Sequence, residues 1–551
     1  MRRRRTANFL AKVLFLPKCR TGDGSKGSTG TRDRTDAQVR ISFARIVVVP
    51  ALLVLFGVLC LSGFQAQAAT YVPASVVPPQ PMREMRAAWV ATVANIDWPS
   101  TNGLSAAQQK AELLAILDRA VQLKLNTIIF QVRPACDAMY ASSFEPWSEY
   151  LSGVMGKPPE PFYDPLAFAV EEAHRRGLEL HAWFNPYRAR HIIVRSPVCS
   201  SHISKTRPEL VRQYGKYLWL DPGEQAVQDY SLKVVMDVVQ RYDIDGVHFD
   251  DYFYPYKEKD GAGREVDFPD NASWNRFGRN GKLDREDWRR ENVNQFIQRA
   301  YKSIKTAKPW VKFGISPFGI WRPKNPPQIQ GYDAFGKLYA DARKWLENGW
   351  LDYCAPQLYW GINPPEQSFP VLLSWWGEQN KKHRHLMPGM DSTKTSGRWQ
   401  PQEIVNQIRI TRQKPGVNGH IHWNMKSLLR NPALGEALQR EVYAQPALIP
   451  ALTWVSRATP EKPKLRVANS GNSLAISWGC SKPEKVSRWV LQTRVGKTWI
   501  TEVLPSGRTS LVLERRSPDF IALTAVDRFG NTSRPAAVQR KESVPIPSPK
   551  G

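Results

Sequence analysis

The chain has 551 residues, too many for one small domain, and 42% of them are hydrophobic, which excludes wholesale disorder. Its formal net charge is +27; residues 1–45 carry 12 Lys/Arg against 3 Asp/Glu, which leaves +18 for the remainder. That remaining charge is scattered, and no recognition-helix or RNA-binding signature accompanies it, so the balance argues against nucleic acid and fits an acidic polymer.

In chain order, the first feature is an apolar run at 46–61, preceded by Arg40 and Arg45 and followed by Ala66-Gln67-Ala68. This is a secretory signal layout behind a long basic lead, and it assigns 1–68 to a signal segment. The expected location is the periplasm or outside the cell. The alternative is an uncleaved inner-membrane anchor facing the periplasm, which would be the chain's only link to a membrane. Residues 69–82, rich in Pro, read as an extended lead. Of the six cysteines, Cys136, Cys199, Cys354 and Cys480 follow the signal segment, with no CxxC spacing. No metal site and no cofactor are expected. An oxidising compartment would permit a bridge such as Cys136–Cys199, although sequence alone does not pair them.

From Met85 onward, short β-rich runs alternate with amphipathic helical stretches. Strands are expected at 85–93, 126–132, 179–186, 245–252, 311–317, 351–360, 385–390 and 419–424. Helices are expected near 105–123, 165–176, 225–241, 287–307, 335–348, 401–412 and 432–443. Eight strands with intervening helices, over 83–445, give a (β/α)₈ barrel. Long insertions follow strands two to five, at the carboxyl ends where such barrels place their active sites. Residues 458–540 lose helical periodicity and alternate as strands, which reads as a small all-β sandwich. The stretch AVDRFGNTS at 525–533 resembles a fibronectin type III domain. The polar, Pro-rich tail 541–551 reads as disordered.

The fourth strand carries the chemistry. In DGVHFDDY at 245–252, Val247 and Phe249 share one face, while His248, Asp250 and Tyr252 share the other. An ionised Asp250 in a sealed core would be costly, so its place is the barrel mouth. Glycosidic cleavage requires one group to protonate the leaving oxygen and another to stabilise or capture the oxocarbenium-like centre. Asp250 is read as nucleophile or stabiliser and Asp251 as proton donor. Asp391, Glu145 and Glu149 are alternative donors. If the sugar bears an N-acetyl group, that group is an alternative nucleophile, with Asp250 orienting it. Substrate-binding candidates at other strand ends are Arg133, Asn185, Tyr187, Arg188, His248, Tyr252, Ser316, Gln357, Tyr359 and Asn424. Trp360 and Trp423 offer faces for sugar stacking, and Arg133 and Arg188 suit a substrate carboxylate or a protein carboxylate.

Several separated motifs carry a family resemblance. REMRAAWVATVANIDWPS at 83–100, DGVHFDDYFYP at 245–255 and APQLYW at 355–360 resemble the bacterial glycosyl-hydrolase-like ten family over roughly 82–430. The resemblance implies a barrel, an envelope location and glycosidase activity, with peptidoglycan strands stripped of peptide as substrate. The fourth-strand pattern also resembles α-amylase-type and chitinase-type barrels, whose catalytic Asp stands where Asp250 stands. Neither group's proton donor is present, since ISPF at 315–318 has no carboxylate and Tyr252 occupies the chitinase-type position. The competing reading is a non-catalytic carbohydrate-binding or cell-wall scaffold protein on a barrel fold. The partner expected in either case is a polysaccharide, anionic if the charge balance is a guide. The oligomeric state is not legible.

Overall fold

A computed structural model describes residues 70–470, 473–514 and 518–541. The expected signal segment and the tail beyond 541 lie outside the described residues. Among the described residues, no helix is long and apolar enough to cross a membrane.

Eight parallel strands form the barrel: Met85–Val90, Thr127–Arg133, Glu179–Phe184, Gly246–Phe249, Lys312–Ile315, Tyr353–Cys354, a seventh in two pieces (His385–Leu386 and Gly389–Asp391) and Gly419–Trp423. Each pairs with its neighbour, and the eighth returns to the first through Ile421 opposite Ala87. The seventh strand splits at Met387-Pro388 because Pro388 has no N–H for the ladder. Its first piece pairs with strand six and its second with strand eight, so the ring closes across the break.

Residues buried on both faces explain the near-continuous apolar runs in these strands. Alternation separates two cores. Met85, Ala87, Trp89, Ile129, Trp183, Tyr353 and Ile421 fill the barrel interior. Ala88, Val90, Ile128, Phe130, Val247 and Phe249 face outward beneath the helices. Phe249, for instance, stacks on Phe296 of helix Arg285–Ala307 at 5.7 Å. Local chemistry starts the helices where the chain must turn back. Ser105 and Gln108 form a capping box at Ala106–Gln122, and Asp164 caps Pro165–Arg175 with Pro in the first turn.

The C-terminal region packs a three-stranded antiparallel sheet (Lys464–Ser470, Ser473–Gly479, Ser510–Glu514) against a five-stranded one. The second sheet corrects the expectation for 69–82. Tyr71–Pro73 is not a bare lead; it pairs antiparallel with Ala536–Arg540 as an edge strand, giving its backbone groups ladder partners. This all-β unit lies against the base of the barrel. Arg488 donates from Nε to the Gly177 carbonyl at 2.7 Å, and Trp454, in the connecting segment, donates to Asp352 at 3.0 Å. Cys136 and Cys199 are both free thiols, so the bridge considered above is absent.

Candidate active site

Strand parity holds at the fourth strand. Val247 and Phe249 point out, and His248 points in. There the His248 ring meets the Tyr353 hydroxyl at 2.9 Å, the Ser316 hydroxyl at 2.9 Å and the Trp89 indole N–H at 3.1 Å. Burial, with the neighbouring His181 adding to it, pushes the His248 pKa well below its ordinary value. One layer higher, Asp250 and Asp251 leave the strand end.

Asp250 is surrounded by N–H donors. Its Oδ2 accepts from the Trp183 indole at 3.2 Å and from the Asn185 amide, and its Oδ1 accepts from the Tyr252 backbone at 3.3 Å. The Asn185 amide cannot turn round. Its Oδ1 accepts from Gln131 Nε2 at 2.7 Å, and Gln131 Oε1 accepts from the Thr92 and Val93 N–H groups at 2.9 Å. Asp251 has different company. The Tyr256 hydroxyl donates to its Oδ2, and Gln357 Nε2 donates to its Oδ1 at 3.1 Å. A hydroxyl can reverse its role and accept from a protonated acid; an N–H cannot.

Burial pushes Asp250 up to about 7 against the pull of Arg188, and the Asp251 charge adds to the rise. Burial raises Asp251 too, against its Tyr256 and Gln357 hydrogen bonds. Two adjacent buried carboxyls with raised pKa values hold one proton between them near neutral pH. The donor sets differ: Asp250 accepts from N–H groups alone, whereas Asp251 faces the Tyr256 hydroxyl as well as the Gln357 amide. Near them lie Arg188, Tyr252, Gln357 and Tyr359, with Trp423 beside Tyr359, whereas Trp360 packs edge-on against Phe318 at 5.7 Å. Trp423 meets Trp89 and Trp183 edge-on at 6.1 and 6.3 Å and lies 6.4 Å from the Tyr359 ring.

Two hollows elsewhere lack this chemistry. One of about 490 Å³ lies at the barrel base beside Arg83, His385 and Trp454, and one of about 690 Å³ lies beside Lys324 and Trp375. Neither is lined by two carboxylates.

Residues 84–403 match the family described as glycosyl hydrolase-like 10. This chain belongs to that family. As a glycosyl hydrolase-like 10 protein it is a glycosidase and acts on glycan. The chain is 43% identical to glycosyl hydrolase YngK of Bacillus subtilis (strain 168) over 411 residues, 72% of this chain and 79% of that protein. It is 36% identical to glycosyl hydrolase DigH of Escherichia coli (strain K12) over 363 residues, 61% of this chain and 80% of that protein. Among solved structures it is similar to the PgaB (BpsB) glycoside hydrolase domain from Bordetella bronchiseptica, with a TM-score of 0.44 at 12% identity, over 66% of this chain and 99% of that domain.

Within this glycosyl hydrolase-like 10 barrel, several sequence candidates sit away from the mouth. Arg133 is fully buried and forms an ion pair with Glu145, and its Nη1 binds the Asn185 and Pro186 carbonyls at 2.6 and 3.0 Å. A bulge is the cause: Gln131 pairs with Trp183 but Arg133 pairs with Phe184, so the extra residue turns Arg133 to the outer face. Tyr187, beyond Pro186, also faces outward and packs on Phe296 at 5.1 Å. His248 and Ser316 are sealed beneath the mouth, 0% and 1% exposed. Asn424 caps helix Met425–Arg430 through Oδ1. Asn185 is fully buried and acts on Asp250 from behind. The alternative donors are occupied. Glu145 is held by Arg133, Glu149 by the Arg195 and Ser196 N–H groups, and Asp391 by Thr393 and Lys394. The sequence reading missed Trp183, Gln131 and Tyr256. The first two share the inward parity of Asn185 and Ile129, a signal that was available; Tyr256 lies in a loop where parity gives no guidance.

Proposed function

We propose that this glycosidase acts after export on a cell-envelope polysaccharide, peptide-free peptidoglycan strands, with Asp250 as nucleophile or charge stabiliser and Asp251 as proton donor. The observation that carries this reading is the contrast between the two acids. Asp250 accepts from N–H groups that can only donate, which favours its anion. Asp251 meets a tyrosine hydroxyl that tolerates either protonation state. A proton leaving Asp251 for the glycosidic oxygen is balanced by negative charge on Asp250 beneath the developing positive centre. Trp360, Trp423 and Tyr359 supply apolar faces for the sugar rings.

The test is incubation of the purified protein with peptide-free and intact peptidoglycan, followed by mass spectrometry of released sugars. Release of glycan fragments from the peptide-free form supports the reading. Glycan binding without release, unchanged by Asp250→Ala, would instead make the barrel a scaffold.

A further inference from the structure

Arg188 stands beside the two acids without an ion-pair partner of its own. It is 3% exposed, its Nε donates to the Pro134 carbonyl at 2.9 Å, and its buried Nη2 has no acceptor. Its guanidinium lies over the Tyr252 ring, 5.2 Å from the centroid. Among the described residues, no carboxylate lies within ion-pair distance of it. Its charge is felt at both Asp250 and Asp251, yet the two acids bond to Trp183, Asn185, Tyr252, Tyr256 and Gln357 instead. Tyr217 and His191, which also feel its charge, bring no carboxylate to it. Tyr217 and His191 stack edge to face at 5.9 Å, and burial, with Arg188 next, lowers the His191 pKa to about 3.

A buried guanidinium nitrogen without an acceptor is costly to keep, and a planar fork matches the two oxygens of a carboxylate. A lysine would serve as a point charge for the aspartates; the guanidinium adds the contact with the Tyr252 ring, the Nε bond to Pro134 and a free edge that can read a partner's geometry. We propose that Arg188 binds a carboxylate carried by the sugar beside the scissile bond, reached past the half-buried Tyr252 ring, so that the enzyme selects glycan whose carboxylates are free. This rests on the glycosidase reading of Asp250 and Asp251 given above. It supplies a physical reason for preferring strands without peptide: the amide bond to a stem peptide removes the lactyl carboxylate's charge and one acceptor oxygen. A uronic-acid carboxylate has the same chemistry from a different ring position.

The experiment compares three substrates: peptide-free strands, the same strands with their carboxylates converted to primary amides, and a polyuronate. The expected result is a kcat/KM about 10- to 100-fold higher for the free carboxylate than for the amide. Arg188→Gln collapses that ratio toward one, chiefly through KM, and Arg188→Lys restores part of it. Turnover of the polyuronate in place of peptidoglycan strands keeps the role of Arg188 and overturns the lactyl source. Equal turnover of free and amidated strands by the unaltered enzyme overturns the proposal while leaving the glycosidase reading intact, and it needs no variant to fold. An Arg188→Gln variant that slows both substrates by one factor also overturns it. Cleavage of none of the three overturns the underlying reading as well.

Discussion

The base and the mouth of the barrel both bury carboxylates, and they treat them in opposite ways. At the base, Glu179 meets the Lys312 ammonium at 2.8 Å and Asp245 meets His174 at 2.8 Å, with Arg488 and Arg528 of the sandwich 3.6 Å from the same two acids. Burial alone would raise both. Lys312 and His181 nevertheless hold Glu179 down to about 2, and His174 with the two arginines holds Asp245 well below the usual carboxylate range. At the mouth, Asp250 and Asp251 are equally buried but touch no cation, and burial prevails. The difference teaches that depth does not decide ionisation; contact with a counter-charge does. Matched acids hold the fold together, and unmatched acids are left able to exchange a proton.

The most severe way to break this contrast is Asp250→Asn. Hydrolysis falls by about 10³-fold or more, read as reducing-end release. The same variant sharpens the comparison through stability. Burial raises both acids, Asp250 to about 7 against 3.8 in the free side chain, so the stability that comes with protonating the pair is present below about 3.8 and is lost as pH rises through about 7. Asp250→Asn therefore has the higher urea midpoint at pH 8, while the two proteins converge at low pH.

Glu179→Gln is the converse test. It leaves Lys312 buried without its partner and costs about 3–5 kcal/mol in urea unfolding at pH 7, with kcat essentially unchanged. In the unaltered protein, stability from Glu179 is present above 4.5 and drains away as pH falls toward about 2, and Glu179→Gln lacks that acid transition. A smaller effect is expected from Asn185→Ala, which removes one donor from Asp250. It lowers kcat by about 10- to 100-fold and moves the pH–rate profile upward, because the anion loses a hydrogen bond. Smallest is Trp423→Ala, with KM raised by about 3- to 10-fold and little change in kcat, as for a lost aromatic face.

The barrel was legible because its strands obey a period of two and its helices carry their own caps. The inward direction of Asp250 was legible by the same parity; Asp251, at the strand's exit, was not. What parity could not reveal was where it fails. The bulge before Arg133 and the break at Pro186 each reverse the face of the next long side chain, which is why Arg133 turns outward to Glu145 and Tyr187 joins the outer core. Ser316 and His248 have the expected direction but the wrong height. Strand five ends at Ile315, and Ser316 turns its hydroxyl down onto the imidazole. Tyr256 stood outside any periodic pattern. Its link to Asp251 depends on how the loop after strand four folds back, and that is decided by packing among Tyr252, Tyr332 and Phe318.

The edge strand Tyr71–Pro73 has a consequence for how this polypeptide must assemble. Its hydroxyl-bearing Tyr71 bonds to the Pro518 carbonyl, 447 positions further along. The catalytic ring is therefore threaded between the opening and closing strokes of a single sheet. That edge pairing cannot form until residues 536–540 have been made, and it closes a wider loop than any other strand pairing among the described residues.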